Sequence, residues 1–238
     1  MPKIAIITAR GGSKRIPRKN IKEFCGKPIL AYSITAALES GVFDEVMVST
    51  DDEEIKEIAL RYGASVPFLR SEKTSNDFAT TSDVLLEVLD NYAKLGKNFD
   101  IGCCIYPTAP FVTGEKLKKA MELMEDNDAD TIIPVVPFSY PPQRSLVIRD
   151  ERLVFQEPKY LNSRSQDLEK EYHDCGQFYI FNIEAYKKTG NLMMGNIKPF
   201  IVDEMEVQDI DNLTDWKIAE LKYKVMLEKG ADTDEQRN

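Results

Sequence analysis

Long apolar runs are missing from this chain. No stretch approaches the ~20 residues of a membrane span, so no membrane association is expected. The first apolar run ends at Ile7 and is followed by cations. That order is wrong for a secretory leader, and no signal peptide is expected. Histidine is nearly absent: His173 stands alone. With no serine elbow in the sequence, a Ser–His hydrolase has little to rest on. The cysteines are Cys25, Cys103, Cys104 and Cys175. Neighbours such as Cys103 and Cys104 face opposite ways in a strand and do not easily share a metal. Reduced thiols in a cytoplasmic protein are expected. Excess positive charge is also lacking: the formal net charge is −9, which argues against a nucleic-acid binder. Repeats and low-complexity blocks are absent.

The 238 residues, 42% of them hydrophobic, suit one large α/β domain. Strand and helix patterns alternate through the first half. Strands are predicted over 3–9, 45–49, 66–69, 101–105 and 131–136. Helices are predicted over 28–40, 51–62, 81–95 and 115–125, the third capped by Thr81 or Ser82. Repeated βα units predict a mostly parallel sheet with helices on both faces. The rhythm breaks at Pro137. Residues 138–172 read as an inserted arm carrying an apolar hairpin, 146–148 with 153–155. A strand over 176–181, a short helix near 184–188 and a last helix over about 213–229 follow. Residues 1–230 form one expected domain, and 231–238 a frayed tail.

Against the acidic background, five cations fall within ten residues, Arg10 to Lys19. They follow the first strand and Gly11-Gly12-Ser13. Glycines let a backbone pass close to a phosphate, and the cations Arg10, Lys14 and Lys19 can neutralise it. The pattern is neither a P-loop nor a dinucleotide fingerprint. A solvated basic loop is the bland alternative, and phosphate binding is the reading favoured here. A small anionic ligand in a pocket fits better than a long polyanion.

Asp209 and Asp211 are two apart, so an extended segment points both the same way. Two hard carboxylates suit Mg²⁺, which takes one or two of them plus substrate phosphates. Helix capping by Asp211 or Asn212 competes with that reading. Asp52 reads as the cap of the second helix. Arg70 and the polar loop Ser75 to Thr81 fall at the sheet edge where open α/β sheets bind ligands. His173 beside Asp174 invites a catalytic pair, and His173 with Cys175 a nucleophile; substrate contact suits His173 better.

These residues resemble the CMP-sialic acid and CMP-Kdo synthetase family. Ala9 to Lys14 with Pro17, Lys19 and Asn20 is similar to its opening signature. Ser49-Thr50-Asp51, Arg70, Asp77 to Thr81, Pro107-Thr108-Ala109-Pro110 and the Asp209–Asp211 pair follow in the family's order. The resemblance spans nearly the whole chain. It implies a Rossmann-like fold, a homodimer joined by the arm, and Mg²⁺-dependent cytidylyl transfer from CTP. It places Arg10, Gly11, Gly12, Ser13, Lys14 and Lys19 at the triphosphate, and Asn20, Arg70, Ala79 and Thr81 at the cytidine. Asp209 and Asp211 serve the metal and the attacking hydroxyl; with Arg10 and Lys19 they make the catalytic set. Tyr106, Arg164, His173, Cys175, Gln177 and Tyr179 fall at sugar-facing positions. Tyr106 and Cys175 stand where sialic acid enzymes usually carry Gln and Asn. That difference points to a branch acting on another nonulosonic acid. A sugar-1-phosphate nucleotidyltransferase and a non-catalytic CTP-binding module are the rival classes.

Overall fold

A computed structural model describes the backbone of residues 1–235 and the side chains to residue 228. The tail expected at 231–238 lies outside the residues whose side chains are described. In chain order the strands are β1 (Lys3–Thr8), β2 (Glu23–Phe24), β3 (Lys27–Pro28), β4 (Glu45–Ser49), β5 (Ile101–Ile105) and β6 (Thr131–Pro137). They continue with β7 (Leu146–Arg149), β8 (Arg152–Phe155), β9 (Tyr172–Asp174), β10 (Phe178–Asn182) and β11 (Ile197–Ile201). The helices are α1 (Ile29–Ser40), α2 (Glu53–Arg61), α3 (Glu72–Ser75), α4 (Thr81–Lys94), α5 (Gly114–Asp126), α6 (Ile183–Thr189) and α7 (Leu213–Glu235).

The main sheet runs β11-β6-β10-β5-β1-β4, with β9 paired to β6. β1 is parallel to β4 and β5, and β6 to β11. Only β9 and β10 run against their neighbours. Strand alternation sorts side chains between two layers. Ala5 and Ile7 join Leu30, Ile34, Ile55, Leu117 and Met121 on the face of α1, α2 and α5. Ile4 and Ile6 join Leu85, Leu89, Ile183 and Tyr186 under α4 and α6.

Three local expectations need correction. No strand forms over 66–69: only Ser65 bridges Met47, and Pro67 has no N–H to give a ladder. The cap of α4 is Thr80, not Thr81 or Ser82. Its side chain accepts from the Asp83 amide while Asp83 accepts from the Thr80 amide, a reciprocal capping box. Edge strand β11 was not anticipated, because Pro199 interrupts its pattern and is tolerated only at an edge. Thr80→Ala is expected to cost about 1 kcal/mol and to lower Tm by roughly 2–4 °C in a thermal melt.

Hairpin β7–β8 forms as anticipated, turning at Asp150 and Glu151, both with positive φ. Its Leu146, Ile148 and Leu153 are exposed.

Candidate active site

A third apolar cluster explains how distant parts of the sequence meet. Ile16, from the basic loop, and Ile210, from between the two aspartates, are both buried with Phe24, Tyr32, Trp216 and Ala219. Burying each isoleucine is worth about 2 kcal/mol. The cluster therefore fixes the basic loop beside the segment carrying Asp209 and Asp211. Two polar bonds finish the join. Lys19 Nζ donates to the Ile210 carbonyl at 2.7 Å, and Arg15 Nη1 meets Asp211 Oδ2 at 2.6 Å. Capping of α7 falls to Asn212, whose side chain accepts from the Thr214 and Asp215 amides. Asp215 in turn accepts from the Asp211 amide. The Asp211 carboxylate is thus left facing the loop.

At the carboxyl end of β1 opens a cleft of about 470 Å³. It gathers Arg10, Ser13, Lys14, Lys19, Asn20, Arg70, Ala79, Thr81 and Tyr106 of the anticipated site. Asn20 is buried and donates to the Arg10 carbonyl at 2.8 Å, tying the loop's end to its start. Arg70 is anchored on Ser49, Nε to Oγ at 3.1 Å and Nη2 to the carbonyl at 2.7 Å. Burial pushes the ammonium of Lys19 below its ordinary pKa, against the pull of Asp211 and Asp209. Burial likewise lowers Arg70. Both are thinly solvated cations, the state in which an anionic ligand is felt most strongly.

The glycines act differently from expectation in one respect. The Gly11 amide is spent on Asp51 Oδ1 at 2.9 Å. A Cβ on Gly11 would stand 2.7 Å from Asp52 Oδ2, so the residue is small to admit Asp52. Asp52 caps α2 as anticipated and also binds Arg18 at 2.5 and 2.9 Å. That ion pair, with Glu54, anchors the back of the basic loop to α2; the Arg18 hydrogen bond holds the Asp52 carboxyl below its ordinary range.

Sequence reasoning did not single out two charged side chains here. Asp77 bonds Arg10 at 3.1 Å and Lys14 also. Arg15 stood out only as a large residue where the resembled family often has a small one, and its partner Asp211 was not foreseen. The pattern of charges offered a signal for both, but pairing across more than sixty residues is invisible in a linear chain.

The anticipated sugar-facing residues are spread more widely. Only Tyr106 lines the main cleft. His173 and Asp209 line a smaller cleft of about 210 Å³ with Ser139, Glu204 and Lys222. Gln177 is buried, donates to the Glu206 carbonyl and leaves its Oε1 without a protein partner. Tyr179 donates to Asp174 Oδ2 at 2.5 Å. Arg164 pairs with Asp167 on the excursion between β6 and β9 and lines neither cleft. Cys175 packs against Val136 and Val202. Burial pushes its thiol up to about 12, so it is no nucleophile at neutral pH. Iodoacetamide at pH 7.5 is expected to leave Cys175 of the native protein unlabelled in a peptide mass map. The Asp174 carboxylate serves Tyr179 and the Gly176 amide, not the His173 ring, so no His–Asp pair forms.

A mostly parallel sheet with a basic cleft at the carboxyl end of its first strand defines an open α/β class that takes ligands at that edge. The chain belongs to the cytidylyltransferase family, whose model matches residues 4–237. It is 41% identical over 226 residues to a pseudaminic acid cytidylyltransferase of Campylobacter jejuni subsp. jejuni serotype O:2, covering 94% of this chain and 97% of that protein. It is 33% identical over 225 residues to a CMP-N,N'-diacetyllegionaminic acid synthase of Legionella pneumophila, covering 91% and 94%. The fold is also that of a CMP:2-keto-3-deoxy-manno-octonic acid synthetase solved with CTP. That likeness has a TM-score of 0.69 at 18% identity, over 96% of this chain and 100% of the other.

Proposed function

We propose that the chain transfers CMP from CTP to the anomeric hydroxyl of a nonulosonic acid, pseudaminic acid foremost, and releases pyrophosphate. The observation that carries this reading is the 41% identity, over nearly the full length of both chains, to a pseudaminic acid cytidylyltransferase. The cleft adds chemical support, since Arg10, Lys14 and Lys19 converge where a triphosphate would need neutralising. Arg10 and Lys14 take the phosphate charge in exchange for Asp77. Lys19 holds charge building on the leaving group. Arg70, Asn20, Ala79 and Thr81 shape the nucleoside end. Positioning and fixed charge supply most of such catalysis.

Magnesium suits the donor set. No cluster of three or more His, Cys, Asp or Glu side chains forms a complete metal cage among the described residues. Asp211, with Asp209, offers one or two hard carboxylates beside the phosphate cations, the partial set that Mg²⁺ completes with substrate oxygens. When bound there, it would polarise the α-phosphate and favour the ionised sugar hydroxyl.

In this reading the protein is a cytoplasmic homodimer. The exposed Ile148 and Leu153 of the hairpin form its contact. The double variant Ile148→Glu with Leu153→Glu is expected to halve the mass measured by light scattering. An unchanged mass would remove the hairpin from the contact.

The test of the reaction is pyrophosphate release from CTP and Mg²⁺ with pseudaminic acid, sialic acid and Kdo in parallel. Release with pseudaminic acid alone is expected. Release only with sialic acid or Kdo would overturn the choice of sugar, and release with none would overturn the reaction.

A further inference from the structure

A line of contacts leads from β9 to the wall of the main cleft. Asp174 Oδ1 accepts from the Gly176 amide at 2.9 Å, which fixes its carboxylate across a turn where Gly176 takes a positive φ. Its Oδ2 accepts from the Tyr179 hydroxyl at 2.5 Å. The Tyr179 ring meets the Tyr106 ring edge-on, centroids 5.8 Å apart and planes at 71°. Tyr106 lines the cleft, and its hydroxyl lies 3.4 Å from Thr81 Oγ1. The Tyr106 amide is also bonded to the Gln177 carbonyl, so the strand segments beneath both rings are tied together.

Tyr179 is almost fully buried. Burial raises its phenol above the ordinary value, and the Asp174 bond raises it further. The phenol therefore stays protonated and donates. Asp174 is exposed on the other side and has no contact with the cleft. The side-chain route from its carboxylate to the cleft wall runs through the Tyr179 and Tyr106 rings.

We propose that Asp174 is a positioning residue for the cleft wall: by holding the Tyr179 hydroxyl it sets the Tyr106 ring, and through it the fit of the sugar acid. The inference rests on the reaction proposed above. An edge-on aromatic pair has a preferred geometry worth about 1 kcal/mol. A charge-assisted hydrogen bond anchoring one ring makes that geometry unique. Without the anchor, Tyr179 loses a partner for a buried hydroxyl and its ring is free to re-seat.

The experiment compares Asp174→Ala, Asp174→Asn and Tyr179→Phe with the parent. The KM for pseudaminic acid is expected to rise about tenfold in Asp174→Ala and Tyr179→Phe, the loss of one such bond. The KM for CTP should stay within about twofold. Asp174→Asn keeps an oxygen that accepts from Tyr179 and should recover most of the loss. Equal rises in both KM values, parent-like values throughout, or an Asn variant as poor as Ala would each overturn the proposal. Ring-¹³C tyrosine NMR supplies a readout independent of turnover, with the Tyr106 signal assigned by Tyr106→Phe. That signal should move in Asp174→Ala and Tyr179→Phe and hold in Asp174→Asn; a signal unmoved in all three overturns positioning. A parent enzyme inactive on every sugar acid, but with the NMR shifts present, would overturn the reaction and leave the positioning intact.

Discussion

Replacing Lys19 by methionine is expected to lower kcat/KM for CTP by about 10²- to 10³-fold, the loss seen when one preorganised charge-stabilising donor is removed. Methionine keeps the length and apolar stem of lysine, so the packing around Ile16 and Ile210 survives. What is lost is a partly desolvated cation, and with it the 2.7 Å bond to the Ile210 carbonyl. That bond is one of two polar ties between the basic loop and the Asp211 segment. The Lys19→Arg variant is a useful companion. It keeps the charge but puts a planar fork where a point donor fits, and should recover activity only in part. Pyrophosphate release at varied CTP, with a melt to show that the fold persists, makes the check. A loss under tenfold for Lys19→Met would remove Lys19 from the charge-stabilising set.

Asp211→Asn is expected to cost about 10²-fold in kcat at saturating CTP, the scale of several kcal/mol assigned to a metal-held charge. Two roles for Asp211 compete, since its carboxylate is paired with Arg15 at 2.6 Å. Were that exposed pair its whole purpose, Arg15→Ala would match the loss. Exposed pairs are worth less than about 1 kcal/mol, and Arg15→Ala should lose less than tenfold. Excess chelator should silence the parent enzyme, and added Mg²⁺ should restore it. Equal losses in the two variants would make Asp211 a partner of Arg15 alone.

Much of the layered sheet could be read from the chain because its signals are local. β1, β4, β5 and their helices announce themselves by alternation, by acids at Glu53 and Glu54 and by glycines that end helices. The basic lining of the main cleft was legible for the same reason: Arg10 to Asn20 lie within one short loop. What escaped depends on partners far along the chain. β11 is a strand only because β6 offers it an edge. Cys175 turns into an apolar cluster because Val136 and Val202 are there. Asp174 was weighed against its neighbour His173, whereas its carboxylate serves a tyrosine five residues on. Adjacent side chains in a strand face apart, so a pair read from adjacency was the weakest inference available.

The long excursion between β6 and β9 closes on itself. Pro137 pairs with Tyr172, and the Phe138 amide bonds the Glu171 carbonyl at 3.0 Å. Its two ends are therefore neighbours in one antiparallel ladder, so the stretch between them is a cassette. Residues 139–170 can be exchanged for the corresponding stretch of a related enzyme without cutting the seven-stranded sheet. A chimera built at those two joints should melt like the parent and, on the hairpin contact proposed above, choose the subunit partner of its donor. The joints at Phe138 and Glu171 thus mark where evolution, or an engineer, can replace the excursion while leaving the main cleft as it stands.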